Sequence, residues 1–107
     1  MGIYYTYDSN GTPVPTSDVI AWAEFIRTHD EKIAYTELPE VGLRVSTVFM
    51  GIDYAYQVGD PPLVFVTMIF PMNSYRDKYC DRYSTKAEAL AGHEKAIGIA
   101  KSGEGMY

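Results

Sequence analysis

The chain has 107 residues, 47% of them apolar and 21% charged, with a formal net charge of −5. That length suits a single domain, and that balance excludes a disordered chain and one without a packed core. The acidic sign disfavours nonspecific binding to nucleic-acid phosphates, and no apolar run approaches the roughly 18 residues of a membrane helix, so neither nucleic acid nor membrane is an expected partner.

Residues 3–7 read as a short tyrosine-rich strand, ended by the turn signal Asp8-Ser9-Asn10-Gly11. Pro13 and Pro15 read as an extended lead into a helix that Thr16 or Ser17 can cap and that runs to about Thr28. Val19, Trp22, Ala23 and Ile26 recur at helical spacing, with Phe25 widening the stripe. His29 falls at the helix C-terminus, where the dipole favours a cation. Residues 32–38 alternate as a strand does, and residues 43–52 are rich in β-branched and aromatic side chains, with Gly51 marking a bend.

Residues 63–70 are apolar on both sides of the pleat, the pattern of a central strand covered on both faces. The second cover is expected from the N-terminal helix or from another subunit, which makes a homodimer a further expectation. Residues 75–83 are polar and aromatic, an edge strand or ordered loop. Thr85 and Glu88 have capping-box spacing and open a helix whose stripe is Ala87, Leu90, Ala91, Ile97 and Ala100. Gly103 suits its end, and a loose tail is expected from there. The expected fold is α+β over residues 1–107 as one domain. It is an antiparallel meander of four to five strands packed against two helices, in the order β-α-β-β-β-(β)-α.

No catalytic set emerges from this pass. His93 lies at the edge of the second helix's stripe, where a boundary histidine bonded to the sheet is the simple reading. Cys80, the single cysteine, stands beside Asp81, which disfavours a thiolate, and it cannot close an intramolecular disulfide. Metal-ligand spacings and phosphate-cradling glycine loops are absent, so no metal or cofactor is expected. The opening MGIYYTYDSN lacks a basic start and an apolar stretch, so no leader is expected and the location is read as cytoplasmic.

Two surfaces have binding character. Residues 1–40 carry seven acids against Arg27 and Lys32, and Glu24, Asp30 and Glu31 could meet a basic site on a partner protein. The segment from Tyr75 to Lys86 interleaves Tyr75, Tyr79 and Tyr83 with Arg76, Lys78 and Arg82. In an extended chain the tyrosines share one face and the cations the other, a strip able to hold a nucleotide-like ligand or a protein. The plainer reading is a charged edge that blocks sheet-to-sheet aggregation. Ten tyrosines in all favour a binding protein over an enzyme.

The run Val45-Ser46-Thr47-Val48-Phe49-Met50-Gly51-Ile52-Asp53 is followed by Pro61-Pro62-Leu63-Val64-Phe65, by Arg82-Tyr83-Ser84-Thr85, and by Glu88-Ala89 and Gly92-His93. With the preceding helix Ala21-Trp22-Ala23-Glu24-Phe25, this resembles a family of short proteins encoded by tailed phages, prophages and their bacterial hosts, over about residues 11–95. Family members often have His where Tyr54 stands, Glu where Val66 stands and Trp where Lys86 stands; the first two departures remove polar groups suited to acid–base chemistry. The resemblance implies a phage or prophage setting. Together with the acidic residues 1–40, the tyrosine excess and the missing catalytic set, it makes a phage accessory protein that binds a host protein, for instance to inhibit a host defence system, the first expectation. A small ligand held by the Tyr75–Lys86 strip is the second expectation. The third is an enzyme using His93 with Asp53 or a tyrosine, and it turns on whether His93, Asp53 and Arg82 converge on a pocket.

Overall fold

The computed structural model describes residues 4–29, 32–53 and 61–107. They form an α+β fold of two antiparallel sheets and two helices. The first sheet pairs β1 (Tyr4–Tyr7) with β2 (Pro13–Thr16). The second joins β3 (Lys32–Leu38), β4 (Leu43–Phe49), β5 (Phe65–Pro71) and β6 (Tyr79–Tyr83) in chain order, so every neighbour in the sheet is also a neighbour in sequence. The helices are α1 (Val19–Thr28) and α2 (Lys86–Ser102).

The proline-bearing lead is a strand. The Asp8 carboxylate accepts from the backbone N–H groups of Asn10 and Thr12, closing the turn and returning the chain along β1. Pro13 and Pro15 pair with Tyr7 and Tyr5, and their spacing of two sets both missing donors on the same outer edge, where a sheet tolerates them. Asp18, not Thr16 or Ser17, caps α1: its Oδ1 accepts from Ile20 N at 3.1 Å and Ala21 N at 3.0 Å.

Helix α1 buries no residue fully. Its inner face is Trp22, Phe25 and Ile26, while Val19 is 51% exposed and Ala23 also faces outward, against the wider stripe expected. The helix lies on the hairpin. The Trp22 ring lies tilted against Tyr4, and its indole N–H donates to Gly51 O at 3.0 Å, holding α1 to the end of β4. Gly51 takes φ +70°, and a side chain there would meet Trp22 Nε1, so the bend requires glycine.

Helix α2 starts with the capping box of Thr85 and Glu88 and ends at Gly103 in the left-handed conformation. Its buried side is Ala89, Gly92, His93, Ala96 and Ala100; of the expected stripe only Ala100 is fully buried, and Ala87, Leu90 and Ala91 are exposed. Helical spacing fits both sets. The small-residue side won because it lets the helix axis approach the sheet closely, Gly92 lying against the Tyr83 ring. Two clusters result. Leu38, Val45 and Ile69 meet Ala96 and Ala100 at one end; Phe49, Val64 and Phe65 meet Ala89, with Tyr7, Phe25 and Ile26 closing the other end. The residues after Gly103 return to the sheet, where Met106 packs on the first cluster and Tyr107 N donates to Lys78 O at 2.9 Å.

Phe25 and Ile26 join the cluster that α2 covers, so α1 does not close the opposite side of the four-stranded sheet. By strand register that opposite face carries three rows: Glu37–Arg44–Phe70, Tyr35–Ser46–Met68–Cys80, and Lys32–Val48–Val66–Arg82. Val66 is 3% exposed, but among the described residues its companions are half-buried or exposed, and neither helix packs on them.

Candidate functional site

Beneath α2, two β-branched hydroxyls face each other across the central strands, Thr47 and Thr67, both at 0% exposure. An unpaired hydroxyl there would be costly, so each requires a partner. Thr47 Oγ1 lies 2.6 Å from Thr67 Oγ1 and 2.7 Å from His93 Nδ1, and His93 Nε2 lies 3.0 Å from Thr36 Oγ1. Both ring nitrogens are therefore occupied. In a neutral imidazole one donates and the other accepts, and the hydroxyls rotate to match.

His93 is 3% exposed, and burial holds its imidazole below the ordinary value of 6.5, with Glu94 opposing weakly. The folded pKa is depressed, so below 6.5 the unfolded chain takes up the proton first. The stability contribution is complete above that value and is lost as pH falls toward the folded value. Urea melts of wild type should thus show a stability rising with pH across this window, and His93→Gln should remove that component. Parallel pH slopes for the two proteins would rule out a buried neutral His93.

His93, Asp53 and Arg82 do not converge on one site. Arg82 alternates with Tyr83 and projects from the open face, whereas His93 lies under α2 on the other side of the sheet. Asp53 follows the end of β4, where its Oδ1 accepts from Leu63 N at 3.1 Å and fixes the return of the chain toward β5.

The Tyr75–Lys86 strip is divided in the same way. Only Tyr79–Tyr83 is strand. Tyr79 packs against the first core cluster, and Tyr83 packs against the second and donates to Asp81 Oδ2 at 3.1 Å, so neither is a free stacking platform. Burial, then Asp81, pushes both phenols up. Lys78 is exposed while its backbone carries Ile69 O and Tyr107 N contacts, and Arg76 N donates to Ser74 Oγ at 3.1 Å. Cys80 lies on the face that neither helix covers, and burial raises its thiol, with Arg82 opposing and Asp77 and Asp81 adding to the rise. Tyr75 alone stands apart, 88% exposed in the turn between β5 and β6. Of the acidic surface, Glu24 is paired with Arg27 at 2.6 Å, and Asp30 and Glu31 lie outside the described residues.

The side chains the sequence reading missed are Arg44, Tyr35 and Phe70. Arg44 lies over the Phe70 and Tyr75 rings at 4.7 and 4.9 Å from their centroids, and Lys32 Nζ lies 4.5 Å over the Tyr35 ring. Tyr35, Arg44, Met72, Asn73, Ser74 and Tyr75 line a groove of about 340 Å³ on the open face. Arg44 alternates with Val45 in a strand whose inner residues are buried, and that period-two signal marks it as outward facing.

Among the described residues no group of three or more His, Cys, Asp or Glu could hold a metal ion, and no helix is long and apolar enough to cross a membrane. Comparison with protein-family models, with curated proteins and with solved structures gives no match.

Proposed function

We propose that the protein is a non-enzymatic phage or prophage accessory protein that acts in the host cytoplasm by binding a host protein through the open face of its sheet. Inhibition of a host defence system is the concrete form. The observation that carries this reading is the contrast between the two faces. His93, the strongest acid–base candidate, is sealed under α2 with both nitrogens bonded. The opposite face presents Tyr35, Arg44, Phe70 and Tyr75 together, residue types that concentrate binding energy at protein interfaces. The resemblance to phage-encoded proteins supplies the setting. A second copy of the chain is the competing occupant of the face.

The test is capture of a stoichiometric partner from host lysate, followed by titration with that purified partner. Tyr75→Ala and Tyr35→Ala should each weaken binding about tenfold or more, with little change in melting temperature. Light scattering should report a monomer before the partner is added. Failure to recover any stoichiometric partner, unaltered affinity in both variants, or a stable dimer buried through this face would each defeat the proposal.

A further inference from the structure

Arg44 is fixed in an unusual way for a cation in an acidic protein. Its Nε donates to Pro71 O at 3.3 Å and its Nη2 to Ser74 O at 2.8 Å, so two of its five N–H donors hold the guanidinium to the turn after β5. The rings of Phe70 and Tyr75 flank the guanidinium. Both acceptors are neutral carbonyls. Glu37 is directly opposite in the β3–β4 ladder, yet its carboxylate accepts from the Tyr35 hydroxyl at 2.9 Å and forms no ion pair with Arg44. A half-buried, rigidly held positive charge therefore faces the groove; among the described residues no carboxylate pairs with it directly, although it acts on the Tyr35 hydroxyl that Glu37 holds.

Two of the groove's six lining residues are aromatic. Tyr35 comes from β3 and Tyr75 from the turn after β5, placing Arg44 of β4 between them, and Lys32 adds a second positive charge over the Tyr35 ring. Tyr75 is 88% exposed, so the ring face turned away from Arg44 has no internal cover. A volume of about 340 Å³ falls at the small end of ligand sites. Fixed N–H donors call for anionic oxygens, and uncovered aromatic rings beside them call for a flat ring on the same molecule.

We propose that this groove binds a small aromatic anion of the nucleoside monophosphate class, its phosphate on Arg44 and its base stacked on Tyr75 or Tyr35. The site does not depend on a protein partner, so a failed capture experiment leaves it standing.

The test is isothermal titration of the full chain with AMP, UMP, phenyl phosphate, adenosine and inorganic phosphate. AMP should bind one to one, and adenosine and inorganic phosphate at least about tenfold more weakly. Arg44→Gln should reduce AMP binding to the level of adenosine. Tyr75→Ala, made at an exposed side chain outside the sheet, should weaken AMP about tenfold while the melting temperature stays unchanged. If AMP, UMP and phenyl phosphate all fail to bind, or if Arg44→Gln and Tyr75→Ala both bind AMP as wild type does, the proposal is overturned.

Discussion

Replacing His93 with alanine is expected to destabilise the protein by about 2–4 kcal/mol, lowering the melting temperature by about 10–20 °C. Two terms add. The imidazole leaves a void between α2 and the sheet, and the fully buried Thr47 and the half-buried Thr36 lose their ring partner. Thr47 keeps Thr67, so its loss is partial, whereas Thr36 loses the side-chain bond that tied β3 to α2. His93→Phe separates the terms, since it fills the space and still strands the hydroxyls; it should fall between wild type and His93→Ala only if the void dominates. Denaturant melts of the three proteins decide this. A catalytic histidine would behave in the opposite manner, its replacement leaving stability nearly unchanged.

Gly92→Ala should destabilise by about 1–3 kcal/mol, against the helical preference for alanine. A Cβ at this position would stand 2.6 Å from Tyr83 Cε2 and closer still to Cζ and the hydroxyl oxygen. The ring cannot yield cheaply, because it packs on the second core cluster and its hydroxyl donates to Asp81. Either α2 lifts from β6 or Tyr83 leaves its place. Gly98→Ala is the control on the same helix: nothing lies within 4 Å of its Cβ position, so it should stabilise by about 0.5–1 kcal/mol. Tyr83→Ala should abolish most of the penalty of Gly92→Ala in a double-mutant cycle. Equal and favourable effects at both glycines would show that α2 does not rest on the Tyr83 ring.

The contrast between these two glycines explains what was legible in the sequence. The α+β class, the meander and the position of α2 follow from period-two and period-3.6 patterns and from the Thr85–Glu88 box, all of them local signals. The orientation of α2 was not legible. Its sequence offers one side with Leu90 and another with Ala89, Gly92 and Ala96, and hydropathy favours the first. What decides is how near the axis can come to the sheet, a tertiary quantity. His93, read at the boundary and bonded to the sheet, does bond the sheet through Thr36 and Thr47, but it is buried and not at the boundary. The Tyr75–Lys86 strip assumed one extended segment, but the chain enters β6 only at Tyr79, which separates Tyr75 from the other two tyrosines. Arg44 carries a period-two signal, yet its stacking on Phe70 and Tyr75 depends on strand register and on the turn after β5, which no short window contains.

Helix α1 buries no residue fully and rests chiefly on a two-stranded hairpin, which is joined to the rest of the fold through Tyr5 N and Trp22 Nε1 on Gly51 O, Lys86 N of α2 on Gly11 O, and the packing of Tyr7, Phe25 and Ile26 on the second cluster. Local opening free energies follow buried contacts, so the hairpin and α1 form the unit that separates at least cost. Its departure would uncover Phe49 and Phe65 while the Thr47–Thr67–His93 lock keeps α2 seated. The molecule is thus expected to open first on its N-terminal side, with the groove around Arg44, on the far face of the sheet, left undisturbed.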